Sequence, residues 1–336
     1  MKVSHLLAIF LLMSAEANAQ STVTFSKLRI EGNTQVSIRH MIDMKMIGDT
    51  LLFVSDSKDS YGQQFLRRAV VDSKNNKLSI SCDMGKRSDG YYVSDMPYPY
   101  IAFDGSIRVV SRDNCEIYTI ENDTTFARTK QYLMSENSVV PVNLSQYVKD
   151  VFMTAPDKYV FIGREPNGGR QFALTADVSS AKIDSIRQIS ISPKLQAWMA
   201  NTGEMAYSSK HSRIAFAYTL HPVIEFFGED GAVLNTVEVA KPTFRMATLN
   251  EADFEDLNPL HFIDITATDD YIYAIYWGQK FAQRKSPNVT SSIYKLDWGG
   301  NIINQYTVNA NLHNIAVYNP NTLIAWTGAE FILIQL

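Results

Sequence analysis

The chain of 336 residues predicts an all-β fold, a six-bladed β-propeller of four-stranded antiparallel blades whose ring is closed by the N-terminal strand. Three observations carry that prediction. Short runs of β-branched and aromatic residues recur along the whole length, they return at a pitch of 51 to 58 residues, and sustained helical periodicity is nearly absent. A pitch near fifty belongs to propeller blades, whereas a β-sandwich shows turn signals without it.

The six recurring runs are Leu51–Ser55, Ile107–Ser111, Tyr159–Gly163, Arg213–Ala217, Tyr271–Ile275 and Thr322–Trp326. A shorter apolar strand precedes each, as in Ile42–Met44, Pro99–Ala102, Asp150–Met153, Glu204–Tyr207, Phe262–Ile265 and Asn314–Val317. Two more strands follow, joined by polar or Gly-containing turns. In the fourth unit that outer pair is Val223–Val237 with Asp230-Gly231 at its turn; in the fifth it is Ser292–Val308, broken at Gly299-Gly300-Asn301. Such tight turns need positive φ, which Gly, Asn and Asp tolerate most easily. A four-stranded meander alone leaves two apolar faces in water. Stacking blade on blade covers them, and closing the circle removes the open ends.

The sixth unit stops short, with only Glu330–Leu336 after Thr322–Trp326. The strand-like run Thr22–Ile30 has no unit of its own and is expected to supply the missing outer strand. Pro193–Ala200 and Leu249–Leu257, both between blades, are the stretches expected to hold a helical turn. Residues 20–336 then form one domain. Ahead of it, residues 1–19 read as a signal peptide: Lys2, a short apolar core from Leu6 to Met13, and Ala17 and Ala19 spaced as a cleavage site. That core is far shorter than the ~20 residues of a membrane span, and no later stretch is long enough, so no transmembrane segment is expected. The mature chain is expected in the periplasm or outside the cell.

With 31 basic and 35 acidic residues the net charge is −4, and no basic run is longer than Arg67-Arg68. Phosphate binding needs a clustered basic face, so nucleic acid is not expected as a partner. Two cysteines, Cys82 and Cys115, leave two alternatives, one disulfide in an oxidising compartment or two separate thiols. A chain of this length buries enough core without that bond.

Ser212–Val237, SRIAFAYTLHPVIEFFGEDGAVLNTV, together with Ile293–Val308, IYKLDWGGNIINQYTV, resembles the TolB-like six-bladed propeller family of exported bacterial proteins. In that family a strand ending in an aromatic residue and an Asp-Trp or Asp-Gly turn opens the last hairpins. The resemblance spans roughly Ser26 to Leu336 and carries no catalytic motif. It implies the fold and export and, by analogy of fold alone, a protein partner in the envelope.

No phosphate-binding glycine motif, H-E-x-x-H or G-x-S-x-G occurs. Candidate residues are therefore sought where innermost strands line the channel: His40 and Asp43, Lys149 and Asp150, His261 and Asp264, His313 and Asn314. Imidazoles and carboxylates converging on one axis can hold a divalent cation or work as an acid–base pair; equally, a wet channel is lined by polar residues without a task. His40 with Asp43, and His261 with Asp264, are three apart and point to opposite faces of a regular strand. Only a bulge or a strand end brings both to the channel. The acidic stretch 250–259 offers Asp253, Glu255 and Asp256 as calcium-type donors but lacks the glycine and distal glutamate of an EF-hand, and reads as a solvated loop.

Aromatic residues expected in loops are Tyr91, Tyr92, Tyr98, Tyr100, Trp198, Trp277 and Phe281, the last beside Lys280. They suit stacking on sugars or anchoring a protein, and equally suit filling between blades. Gly278–Val289, with Lys280, Arg284 and Lys285, is the longest insertion inside a blade, the kind of place where function is added. The function expected is that of a non-catalytic binding or interaction protein without a cofactor. Its partner, a protein or a glycan, would dock on the face carrying the inter-blade loops and this insertion. The alternative is a cation-dependent hydrolase, lactonase or lyase, its divalent cation held in the central channel by His261, His313 and nearby carboxylates.

Overall fold

A computed structural model describes residues 20–31, 38, 40–57, 60–85, 94, 96–112, 114–121, 124–135, 137–139, 144, 148–246, 254–286 and 288–336. The expected signal peptide, Tyr91, Tyr92 and Asp253, and the side chains of Cys82 and Glu255, lie outside the described residues.

Six antiparallel meanders surround one axis. Their innermost strands are Met41–Ile47, Pro97–Ile101, Val148–Ala155, Gly203–Ser208, Leu260–Ala267 and Asn314–Asn319. The second strands are Thr50–Ser57, Ile107–Ser111, Lys158–Arg164, Arg213–Tyr218, Tyr271–Gln279 and Thr322–Trp326, and the six recurring runs of the sequence fall inside them. These second strands have neighbours on both faces, which is why they lack the polar alternation of a half-exposed strand. Leu51 and Phe53 face the joint between the first and sixth blades, while Leu52 and Val54 face the joint between the first and second. The core is correspondingly divided into six apolar clusters, one at each joint. No helix among the described residues is long and apolar enough to cross a membrane.

The N-terminal segment does more than complete one blade. Phe25–Lys27 pairs antiparallel with Ile332–Ile334 as the fourth strand of the sixth blade, closing the ring as the incomplete last unit requires. On either side of it, Gln20–Thr22 adds a parallel fifth strand to the fifth blade at Gln305–Thr307, and Arg29–Glu31 adds one to the first blade at Lys77–Ser79. One short segment thus crosses three blades. The helical turns lie where expected between blades, at Trp198–Asn201 and Phe254–Leu257; a third, Phe281–Lys285, sits in the fifth-blade insertion.

Candidate functional site

Three innermost strands are irregular beside an aspartate, while the strand that carries Glu204 is regular. Pairing slips between Met41 and Asp43, between Lys149 and Phe152, and between Phe262 and Asp264, so each of the three aspartates sits at a bulge. A bulge re-aims a side chain that regular alternation would send elsewhere. Asp150 goes furthest, with φ of 51°, a left-handed conformation that Asp enters at less cost than most residues. The three aspartates belong to the first, third and fifth blades and so approach the axis from alternate directions.

They meet in a cavity of about 310 Å³ on the axis. Asp43, Asp150, Glu204 and Asp264 form its polar floor with Lys45 and Tyr98, while Phe152, Met153, Met205 and Tyr207 belong to its wall. Ser209, Thr268 and Asp269, at the hairpin turns that end the innermost strands, stand at its mouth. The insertion joins a second strand to a third and so lies at the opposite end of the axis. The enclosed site and the insertion are therefore on different faces.

Burial sets the protonation of the floor. It pushes the carboxyl of Asp264 well above the usual range, and the neighbouring charges of Glu204 and Asp43 push the same way. Asp150 is also raised by burial, against the pull of Lys149. Glu204, with 27% of its side chain still exposed, is held at about 7 by burial, opposed by Lys149 and reinforced by Asp150. Removing a carboxylate from bulk water favours its neutral form, and a second carboxylate nearby adds to the effect. The Tyr98 hydroxyl is pushed up by burial and then by the acids around it.

Each carboxyl is nevertheless tied down. Asp150 accepts the Met205 N–H of the next blade at 2.9 Å, and the Tyr98 hydroxyl lies 3.4 Å from its other oxygen. Asp264 accepts the N–H of Ile265 and, from the next blade, that of Ile315, both at 2.8 Å. Lys149 donates to Glu204 and, at 2.8 Å, to the Gly203 carbonyl. Lys45 Nζ stands 2.9 Å from Asp43 Oδ2, which receives no aligned hydrogen bond, and 4.6 Å above the Tyr98 ring.

The histidines are elsewhere. His261 is buried, with Nδ1 3.2 Å from the Tyr276 hydroxyl and Nε2 without a hydrogen-bond partner. His313 packs edge-on to Trp277, and its Nε2 accepts from Asn311 Nδ2 at 3.1 Å. Burial brings both imidazoles down to about 4, helped by His221 at the first and by Arg284 and His40 at the second, so both are neutral near pH 7. His40 is exposed and bonded to Asp56 at 2.8 Å; Asn314 is buried at the start of its strand. No three His, Cys, Asp or Glu side chains among the described residues converge closely enough to hold a metal ion.

The aromatic candidates are redistributed as well. Tyr98 and Tyr100 are not loop residues: they lie in the innermost strand of the second blade, where the apolar run Pro99–Ala102 already put Tyr100, are 4% and 2% exposed, and line the cavity. Trp277 is a buried strand residue whose indole N–H donates to the Leu312 carbonyl at 2.7 Å, with the Arg284 guanidinium 4.5 Å away over its ring. Trp198 is half-buried under the Arg164 guanidinium at 4.1 Å. Lys280, Phe281 and Lys285 keep the exposed character expected of the insertion, whereas Arg284 is buried. Glu204 and Lys45, both part of the floor, went unnoticed in the sequence. The signal for Glu204 was its place in the innermost strand of the fourth unit, next to residues equivalent to the aspartates.

No protein-family model matches the chain, and no curated protein matches it in sequence. Solved structures do. A member of the DUF4221 family from Bacteroides vulgatus is 10% identical, with a TM-score of 0.56 over 94% of this chain and 98% of that one. The likeness agrees with the six-bladed ring described above. Regucalcin, a calcium-binding protein from Agrobacterium tumefaciens, is 10% identical at a TM-score of 0.51, covering 94% of this chain and 95% of its own. A protein of unknown function from Bacteroides thetaiotaomicron is 11% identical at 0.51, covering 94% and 73%. At such identities the likeness concerns the fold; the TolB-like resemblance of the two hairpins is finer than it reaches.

Proposed function

We propose that this propeller is a binding protein that receives a small molecule in its axial cavity, acting after export in the periplasm or outside the cell. One observation carries the reading: a cavity of about 310 Å³ combines a floor of ionisable side chains with an aromatic and methionine wall. Small-ligand sites of roughly 300–1,000 Å³ combine an apolar wall with a few fixed polar groups; this one has the wall and a more heavily charged floor. Of the two partner classes expected from the sequence, a sugar-sized molecule fits this volume and a folded protein does not enter it. The hydrolase or lyase alternative loses its proposed ligands, since His261 and His313 do not line the cavity with the acids.

Ser209 is exposed at the mouth, so Ser209→Trp narrows the entrance without disturbing a core. A thermal-shift screen of soluble small molecules, mono- and disaccharides included, should give ligands that stabilise the parent and lose that effect in Ser209→Trp. Ligands that survive this substitution, but are lost when residues 280–286 are replaced by a short glycine linker, would move the site to the opposite face and overturn the reading.

A further inference from the structure

The charge of the cavity is unbalanced. Asp43, Asp150, Glu204, Asp264 and Asp269 line it, and Lys45 is the one basic side chain among the lining residues. Lys149 answers Glu204 from outside that lining, and Arg112, buried, sits 6.0 Å from the Tyr98 ring with its Nε bonded to the Val148 carbonyl. Lys45 is committed to Asp43. Asp264 is left with two backbone N–H donors, and the charged groups that act on it most strongly, Glu204 and Asp43, are both acidic. A buried carboxyl crowded by other acids is costly unless a cation or a proton joins it.

The geometry discriminates between kinds of cation. A calcium ion needs six to eight oxygens at about 2.3–2.6 Å, and these carboxylates do not converge to that degree. An alkylammonium makes separate hydrogen bonds of about 2.7–3.2 Å in three directions and tolerates wider spacing. Aromatic faces nearby add cation–π attraction; Tyr98 already receives Lys45 in this way.

The rest of the molecule that would fit is written in the wall and the rim. Phe152 and Tyr207 stand with ring centroids 6.0 Å apart. At the mouth Ile101 is 43% exposed, and Phe103 beyond it is 65% exposed, its N–H 3.3 Å from the Met153 sulfur. Apolar side chains left open beside a deep acidic floor suit a ligand with a charged head and an apolar body.

We propose that the cavity binds a small amphipathic primary amine, its ammonium held by Asp264 and Glu204 and its apolar body lying along Phe152, Tyr207 and the Ile101–Phe103 rim. This rests on the axial cavity being a ligand site and adds the chemical class. The ammonium replaces the protons that the crowded acids otherwise hold, so binding weakens as the solution is acidified through neutrality.

The test is calorimetric titration of the full mature chain at about pH 8, where carboxylates ionise and an alkylamine keeps its proton. Three molecules of nearly equal shape are compared: phenethylamine, 2-phenylethanol and phenylacetate. The amine should bind at least about 10-fold more tightly than either, a difference of ~1.4 kcal/mol. Glu204→Gln should bring it to the level of the alcohol, whereas Asp184→Asn, an exposed outer-strand acid, should change nothing. Because Asp264 also ties two blades together, Asp264→Asn is read only after its melting curve shows a folded chain. Equal or tighter binding of the alcohol or phenylacetate, blocked by Ser209→Trp, would overturn the amine class while leaving the small-ligand reading intact. No heat from any of the three, or amine binding indifferent to Glu204→Gln, would also overturn it.

Discussion

Leu28 is the point at which the N-terminal clasp can be tested. It is 5% exposed and packs with Phe53, Leu78, Phe331 and Leu333, side chains from the first and sixth blades. Its N–H donates to the Phe331 carbonyl at 2.9 Å, and the next residue's N–H to the Asn76 carbonyl at 2.8 Å, so the backbone crosses from one blade to the other at this residue. Leu28→Ala removes buried methyl groups where neighbouring strands on both sides hinder collapse, a loss of about 2–5 kcal/mol. Unfolding entropy of ~2.1 cal/mol/K per residue, over some 300 residues, gives about 0.6 kcal/mol per degree and a fall in Tm of roughly 3–8 °C. Lys27→Ala is the control. It removes an ion pair to Glu330 at 2.8 Å whose partners are 66% and 40% exposed, and such pairs contribute little. Calorimetry gives the midpoints, and amide exchange gives the location: Leu28→Ala should loosen the first, fifth and sixth blades and leave the third and fourth protected. Equal midpoints for the two variants, or loss of protection spread evenly around the ring, would refute the claim that this segment holds the closure.

Acid should destabilise the fold through its histidines. His261 and His313 have pKa values of about 4 in the fold against 6.5 for a free imidazole. Their contribution is complete above about pH 6.5 and lost as pH falls toward 4, at most ~3 kcal/mol each. Glu204, raised to about 7, works oppositely, favouring the fold below its ordinary pKa of 4.5 and losing that contribution as pH rises through 7. Asp264 and Asp150, also raised, work as Glu204 does, so the histidines are read by difference: between pH 6.5 and 4 the urea midpoint of His261→Gln with His313→Gln should fall less, or rise more, than that of the parent. Gly231 and Gly105 both have positive φ, 78° and 80°, but a Cβ on Gly231 would lie 2.2 Å from the Ile186 carbonyl oxygen, while one on Gly105 meets nothing within 4 Å. Gly105→Ala should cost about 1 kcal/mol and Gly231→Ala clearly more, compared by urea midpoints. Arg284 is 3% exposed and donates to Gln279, Thr290, Ser291 and Asn311. Arg284→Met should cost about 3 kcal/mol and open residues 280–290 to limited proteolysis.

The architecture was legible because propellers write it in the sequence twice, in the pitch and in the character of the second strands. Leu51–Ser55 and Thr322–Trp326 are apolar on both faces because each has a blade on either side, and that shows as an unbroken apolar run. Closure was legible from arithmetic, since the last unit lacked a strand and the first residues offered one. The flanking parallel strands Gln20–Thr22 and Arg29–Glu31 were hidden, because a three-residue edge strand has no pattern of its own. The site was read less well. His261 and His313 drew attention by residue type, yet both start or precede a strand at the far end of the axis and are neutral. Asp43, Asp150 and Asp264 were found, but regular alternation cannot say which way they point; bulges decide that, and bulges follow from how neighbouring strands register. Tyr98 looked like part of an exposed proline–tyrosine loop and is instead a strand lining the cavity.

Those bulges explain why three of the four floor acids sit on the axis. In the third and fifth blades the aspartate reaches across to an amide of the next blade, Asp150 to Met205 and Asp264 to Ile315. An N–H at the start of an innermost strand has no partner within its own sheet on the axis side, so a carboxylate from the neighbouring blade satisfies it and locks the joint. The first blade has the same bulge and the same acid, but the strand beside it begins Pro97-Tyr98-Pro99, and two of those residues carry no N–H to offer. Asp43 turns to Lys45 instead. A structural device repeated on alternate blades thus gathers carboxyls into one small volume, and its one incomplete copy sets an ammonium, not an amide, against the acid. The joints account for the position of these groups. Lys45 and Lys149 answer Asp43 and Glu204, whereas Asp150 and Asp264 are met by neutral donors alone, and it is on that difference that the proposed ammonium would draw.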